Sequence, residues 1–551
     1  MKPMNKEKTI SMTRLLPLAM AALALLLTAS AYAAAPGIQG TAFNLTAKAA
    51  FLTQPDGQAI YSWGYGCTGN TPGSATFAPS AISNTFCYDM QVPGPTLIVT
   101  EGVPFTVTLK NALPAGAGNT SILFPGLQLQ SVSSGVPGLL TAEAAPNGTV
   151  TYTLVANSPG TRAYYSGTQG DLQVEMGLYG AIIAIPASVP PVCSSGLPLT
   201  KPGGNAAAQS HWKETDFTLA KSAYDDPNTC YDREYLFQFS EIDPRIHRQA
   251  EEQLATIANC TPSDTNVCPT SLNVATEPYH PAYYMINGRS MLDNMDPNYA
   301  IQYPHQPYNG NPHMHPGELT LLRVIGQGRW QHPFHEHGNH VRILGRDGNL
   351  ILAPDGKALA GPLLFTTTTT PGLAMDGIFY WSGKGLNWDA YGHHPGSNDP
   401  NATLPCTPDP NGYNTGDPTA INYFEWCQDH NKPVEKAPFG DVSGGGPVTL
   451  PDPNILTNGA WFGGSPYLGP DATTRATFGL CAGANTLTSC GTSGTTPPSG
   501  TIANSPSSEA GFAFMWHSHN EREITTNNIF PGGMLMMMLV DSREFVIDES
   551  F

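Results

Sequence analysis

Two short stretches of this chain carry the residues best suited to inorganic chemistry. One reads His332-Pro-Phe-His335-Glu-His337-Gly-Asn-His340, and the other, near the C-terminus, reads His517-Ser518-His519. Alternate residues of a strand share a face. His335 and His337 therefore pair on one face, as do His517 and His519, and two such pairs turned towards each other form a four-imidazole cage. Neutral imidazole is the usual protein ligand of copper, zinc and nonhaem iron. Only 15 histidines occur among 551 residues, so four between 332 and 340 are a concentration. The alternative reading of the same residues is a hydrogen-bonded, histidine-rich strand that holds no metal. His332, His340 and Glu523 complete the candidate ligand set, with Glu336 and Glu521 close in sequence. Glu336 should point away from the His335/His337 face of a regular strand. A mixed imidazole and carboxylate shell favours iron, manganese or zinc more than a pure imidazole shell does. His313-Met-His315 offers a second candidate pair, and His393-His394 a third. No residue is assigned a catalytic role. Ser518 lies between two histidines, but adjacent strand residues face opposite sides, so neither neighbour can serve as its base.

The elements around these residues read as β-structure. Gly 57 and Pro 51 are high, only 12% of residues are charged, and long amphipathic helical patterns are scarce. Short runs rich in β-formers, bounded by turn residues, point to an all-β architecture of sandwiches. Examples are residues 96–100, 105–109, 150–154 and 180–185. The best helix candidate runs from Asp243 to Ala258, with Pro244 near its start. A first β unit is expected over 34–190, a linker rich in Pro and Gly over 191–210, and a second β unit over 211–551. The second unit carries a long insertion at about 385–508, rich in Gly, Pro, Asn, Ser and Thr.

Residues 1–33 have a basic start (Lys2, Lys6, Lys8, Arg14), an apolar run from Leu15 to Leu27, and Ala31-Tyr-Ala33 as a small-residue cleavage site. That is the pattern of a secretory signal peptide. The expected location is secreted, periplasmic or at the cell surface. No later segment approaches about 18 consecutive apolar residues, so no transmembrane segment is expected after cleavage. The formal net charge is −18, and residues 1–33 contribute a net +3, which leaves the remainder near −21. Such acidity disfavours nucleic acid and anionic lipid as partners. All ten cysteines lie after residue 33, and an even count in an exported protein reads as disulfides. Plausible sequence-near pairs are Cys67/Cys87, Cys193/Cys230, Cys260/Cys268, Cys406/Cys427 and Cys481/Cys490, although sequence does not fix connectivity. No cysteine spacing suggests a thiolate metal site, and the glycines near Gly444 lack a P-loop lysine.

Further motifs extend the pattern. His332-Pro-Phe-His335-Glu-His337-Gly resembles the HPxHxHGH copper motif of the multicopper oxidases, and Phe514-Met-Trp-His517-Ser518-His519 resembles their HCHxxxH motif. Framework stretches match as well: Val92-Pro-Gly-Pro-Thr96, Gly177-Leu-Tyr-Gly180, Ile286-Asn-Gly-Arg289 and Pro371-Gly-Leu-Ala-Met-Asp376. The resemblance covers most of the chain outside the insertion. It implies two cupredoxin-like Greek-key sandwiches and copper as cofactor. It also implies an oxidoreductase that passes electrons from a type 1 copper, through a Cys-His link, to a trinuclear cluster. A thiolate is needed there because its bond to copper tunes the potential and conducts the electron.

This chain departs from that plan. Ser518 stands at the cysteine position, His332 matches the first type 1 histidine, and the second falls on Glu523. Met534 is a relic of the axial position at the wrong spacing, and Met536 to Met538 read as core strand residues. In the first unit, Leu123, Pro125, Tyr165 and Gly167 occupy positions where the family carries cluster histidines. Tyr164 and Tyr165 are expected to fill the space left there. Four of eight cluster histidines survive: His335, His337, His517 and His519. The expectation is an exported metalloprotein that binds copper or another transition metal, with fewer ions than a full multicopper oxidase and no ordinary laccase relay. Its partners are then metal ions or a small reductant. The alternative is a non-catalytic binding, structural or metal-sequestering protein on the same fold. A homo-oligomer, such as a trimer with sites at subunit boundaries, is open to a two-domain chain of this type.

Overall fold

The computed structural model describes residues 35–78, 87–194, 218–263, 266–384, parts of 405–430, 464–468 and 510–541. The signal-peptide stretch 1–33, most of the linker, most of the insertion, His393-His394 and the Cys481/Cys490 pair lie outside the described residues.

Alternating apolar residues build four sheets that pack as two sandwiches. In the first sandwich, one sheet runs in the order Thr76–Ala78, Gly37–Gln39, Leu97–Thr100, Tyr179–Ile185, Gly160–Tyr165. The facing sheet runs Ala59–Cys67, Ala42–Thr53, Phe105–Asn111, Thr149–Val155, Gln128–Ser134. Phe105–Asn111 shows the cause, because Phe105, Val107 and Leu109 are buried while Thr106 and Thr108 are only partly so. Their inward residues meet Phe43, Leu45, Leu97 and Ile182 from both sheets in one core.

The second sandwich pairs a larger sheet, built on Arg233–Ile242, Leu319–Gly326, Ala374–Tyr380 and Val341–Arg346, with the sheet that carries the histidines. The latter runs His313–Met314, Leu535–Asp541, Ala510–Ser518, His332–Glu336, Thr366–Thr369. Phe237, Phe239, Phe334, Phe379, Trp516, Met536 and Met538 share its core. The rings pack closely in tilted and edge-to-face pairs, with Phe239 and Phe334 centroids 4.8 Å apart and Phe379 and Trp516 5.0 Å apart. Each such pair contributes about 0.5–1.5 kcal/mol beyond area burial. This aromatic bed holds the two histidine strands in register.

The expected helix spans Pro244–Asn259, with the Asp243 side chain accepting from the Arg245 amide. Its buried face, Ile246, Ala250 and Leu254, follows helical spacing and enters the core of the first sandwich, not the second. The two sandwiches also meet through Ile98, Ala181 and Ile183 against Leu236, Ile325 and Ala374. Beside this seam, Arg323 pairs with Glu234 (2.8 Å) and Asp376 (3.3 Å), and Asp376 accepts from the Thr161 amide at 3.0 Å. Disulfides join Cys67 to Cys87, Cys193 to Cys230, Cys260 to Cys268 and Cys406 to Cys427. Among the described residues, no helix is long and apolar enough to cross a membrane.

Candidate metal centre

Antiparallel pairing sets His335 directly opposite His517, with Phe334 opposite Ser518 and Glu336 opposite Trp516. Strand alternation then turns His335 and His517 to one side and the other four residues to the core. The chain continues past each strand end to deliver His337 and His519. Trp516 fixes the first of these turns, since its Nε1 donates to the His337 carbonyl at 2.9 Å. Gly338 follows with φ +100, and a Cβ there would press on the Phe514 ring at 3.0 Å. The His519 amide donates to the Pro333 carbonyl at 2.8 Å.

The four imidazoles converge. Ring centroids are 4.7 Å apart for His335 and His337, 5.0 Å for His335 and His519, 5.1 Å for His337 and His517, and 5.5 Å for His335 and His517. The His517 and His337 Nε2 atoms are 3.2 Å apart. Ring nitrogens of His335, His337 and His517 all lie within 4.8 Å of one another. His335 and His517 are buried, His337 half-buried and His519 exposed, so the group opens to solvent on one side. Burial and the neighbouring imidazoles hold His335 neutral, pushing its pKa down to about 4. Burial lowers His517 as well. His517 Nδ1 donates to the Ser518 carbonyl at 2.7 Å, which leaves its Nε2 lone pair turned to the cluster. Thr366 Oγ1 holds His335 Nδ1 at 2.7 Å.

The core side of the same strands is a different site. His332 is fully buried, with Nδ1 2.9 Å from Glu523 and Nε2 2.9 Å from Glu241. Burial alone would lower its pKa, but the two carboxylates outweigh that and raise it to about 9. Ser518 donates to the same Glu523 oxygen, and Asn520 Nδ2 donates to the other at 2.9 Å. Glu241 Oε1 accepts from the amides of Arg329 (2.7 Å) and Trp330 (2.8 Å). Tyr279, 3.3 Å from Glu241, links onward to Glu175 at 2.7 Å, and His247 lies 3.6 Å from Glu175. The three residues aligned with a type 1 copper site, His332, Ser518 and Glu523, thus do meet, as a hydrogen-bonded clamp.

These contacts set three of the candidate ligands apart from the histidine group. His332 has each ring nitrogen 2.9 Å from a carboxylate, Nε2 from Glu241 and Nδ1 from Glu523. Glu523 is likewise occupied by His332, Ser518 and Asn520. His340 stands apart, across Phe365 from His335, with ring centroids 5.0 Å and 5.6 Å from that phenylalanine. Glu336 points into the core as expected. Burial raises its pKa well above the usual range, and Thr367 donates to it at 3.1 Å. His313 and His315 are buried but join no metal-capable group among the described residues. Cys406, Glu425 and His430 lie close together, yet Cys406 is spent in its disulfide. Met534, Met536 and Met538 lie in the core. Glu241 and Tyr279 were not singled out in the sequence. The only signal for Glu241 was an acidic residue inside the strand Arg233–Ile242, whose every position is buried.

Three of the four first-sandwich positions line a cleft of their own. Leu123 and Tyr165 bridge each other (N to O 2.7 Å), and with Gly167 they line a cleft against the second sandwich that contains no histidine. Tyr164 is buried in the core of the first sandwich and donates to the Pro95 carbonyl at 2.8 Å, while Tyr165 stays at the cleft edge.

Residues 71–188 match the family model of a multicopper oxidase domain. Copper resistance protein A of Escherichia coli is 39% identical over 92 residues, 17% of this chain and 14% of that protein. Multicopper oxidase MCE of Talaromyces pinophilus is 34% identical over 108 residues, 19% of this chain and 17% of that protein. The matched stretch is thus less than a fifth of either curated relative. Among solved structures, the multicopper oxidase mgLAC aligns at TM-score 0.42 and 13% identity, covering 91% of this chain and 86% of that one. A blue copper oxidase from Nitrosomonas europaea aligns at TM-score 0.42 and 14% identity, covering 90% and 85%.

Proposed function

We propose that this chain, whose residues 71–188 match a multicopper oxidase domain, is a divergent, exported relative of that family holding copper, or another transition metal, on His335, His337, His517 and His519. The observation that carries the reading is the convergence of those four rings from two opposed strands, with one nitrogen pair 3.2 Å apart. That spacing is close to the roughly 3.3 Å between two nitrogens bound to one tetrahedral ion at about 2.0 Å. The donor set fits as well: burial keeps His335 neutral, and hydrogen bonds to Thr366 and the Ser518 carbonyl fix ring orientation, as outer partners of metal histidines do. Four imidazoles suit one ion, or two with added water, and not a full trinuclear cluster.

A bound copper would supply one-electron chemistry. The protein's own residues would position it, leave one side open through His519, and keep the core side closed by Trp516 and Phe334. A neutral serine hydroxyl is no substitute for a thiolate, and Ser518 faces Glu523. The proposed oxidoreductase activity is therefore direct exchange with a small reductant or metal ion at the open side, without the thiolate relay of a laccase.

Elemental mass spectrometry of the full protein from its native compartment tests this. The expected result is about one transition metal per chain, with a copper spectrum of nitrogen hyperfine splitting and no absorbance band near 600 nm. No stoichiometric metal, even after reconstitution, would overturn the reading and leave a non-catalytic binding role.

A further inference from the structure

The cleft between the sandwiches is a second candidate site, separate from the histidines. It measures about 300 Å³. The first sandwich contributes Leu123, Tyr165 and Val174, the second contributes Pro371 and Gly372, and Leu140 stands at the mouth. Leu140 is 64% exposed. A volume of this size is at the small end of ligand sites, and an apolar cavity of about 150 Å³ already admits benzene.

Three features define what would fit. Part of the wall lacks long side chains, being glycine at 167, 170, 328 and 372 and the ring of Pro371. A Cβ on Gly372 would meet the Tyr165 ring at 3.2–3.4 Å, so the bare backbone is what lets the phenol lie across the opening. No lining residue is charged, and Gly328 lies directly over Glu241, where a Cβ would be 2.6 Å from the carboxylate. With no cation in the lining, the cleft offers nothing to pair with an anion's charge. The free side-chain hydrogen-bond donor of the lining is in one place. Ser166 Oγ is used by Gln173 at 2.7 Å, and the Gln327 amide nitrogen by the Gly180 carbonyl at 2.9 Å. The Tyr165 hydroxyl has no hydrogen-bond partner among the described residues, and burial raises its pKa, so it stays a neutral donor.

We propose that this cleft binds a neutral, planar aromatic molecule of one or two rings bearing one hydrogen-bonding group. The ring packs against Pro371 and the glycine walls, and the polar group meets the Tyr165 hydroxyl. The proposal does not depend on the metal reading, because it is tested on metal-stripped full-length protein.

Calorimetric titration with benzamide and indole should show saturable binding. Benzoate, the anionic counterpart of benzamide, and cyclohexanecarboxamide, its non-planar counterpart, should each bind at least tenfold more weakly. Val174→Trp, which fills the cleft, should weaken benzamide at least tenfold, and Tyr165→Phe about three- to tenfold. Should Val174→Trp disturb folding, as read by near-ultraviolet circular dichroism, Gly170→Leu serves instead, since a side chain there meets no atom within 4 Å. Absence of saturable binding by both probes would overturn the proposal. So would equal binding of benzoate or cyclohexanecarboxamide, or affinity unchanged by the filling variants.

Discussion

The two faces of the strand His332–Glu336 hold imidazoles in opposite states. On the outer face, His335 sits among other imidazoles, and burial with like neighbours keeps it neutral. On the inner face, three residues away, His332 sits between Glu241 and Glu523 and is held protonated. Both are buried, and both pair with the strand Thr366–Thr369, His332 opposite Thr369 and His335 opposite Thr366. Residue type and burial do not separate them; partners do. A carboxylate on each nitrogen makes an imidazole a cation that cross-links the core. A threonine hydroxyl or backbone carbonyl on one nitrogen leaves an imidazole able to give its lone pair to a metal.

That contrast can be broken from either side. The largest effect is expected from His335→Ala combined with His517→Ala, which should remove metal binding altogether by elemental analysis while leaving the melting temperature of the metal-free protein little changed. Metal retained in that double variant would place the centre elsewhere. Next, Glu241→Ala leaves a buried imidazolium with one counter-charge and two backbone amides without their acceptor. Denaturant unfolding should show a loss of about 3–5 kcal/mol, with metal stoichiometry unchanged if the protein folds. The two faces should also differ in the sign of their pH dependence. His332 has its folded pKa raised from 6.5 to about 9. Its contribution, about 3 kcal/mol for a shift of that size, is complete below pH 6.5 and lost as pH rises through 9. His335 has its folded pKa lowered from 6.5 to about 4. It therefore costs stability as pH falls from 6.5 towards 4. The metal-free protein should be most stable near pH 6.5, with His332→Gln flattening the alkaline limb and His335→Ala the acid limb. A stability curve that rises from pH 6.5 to 9 would remove the protonated clamp. The smallest effect belongs to His340→Ala, which should leave metal content and affinity unchanged, because Phe365 separates it from the group.

Much of the outer face was legible in the sequence. A period of two is the strongest local rule of a strand, so His335/His337 and His517/His519 could be paired before any sheet was seen. The helix was legible from Asp243 and Pro244, a cap and a first-turn proline. The four described disulfides followed from nearness along the chain. The inner face was not legible. Glu241 is 91 residues from His332, and only the pairing of sheets across the sandwich brings them together. Ser518 and Glu523 were visible as departures from a copper motif, but nothing local indicated that they would bond each other. The destination of Ile246, Ala250 and Leu254 was also hidden, since an amphipathic face states that a helix packs, not on what.

That helix has a consequence for how the chain could be divided. It follows the strand Arg233–Ile242 of the second sandwich, plugs the core of the first, and the chain then returns to the second at Tyr283–Ile286. The backbone is interlaced between the two cores, and no single breakpoint assigns each core its own residues. A nick between residues 194 and 218 would leave the halves fastened together, whereas a fragment ending there would have a greasy slot in place of its helix. Recombination between relatives at that boundary would succeed only when both parents supplied a matching plug and socket.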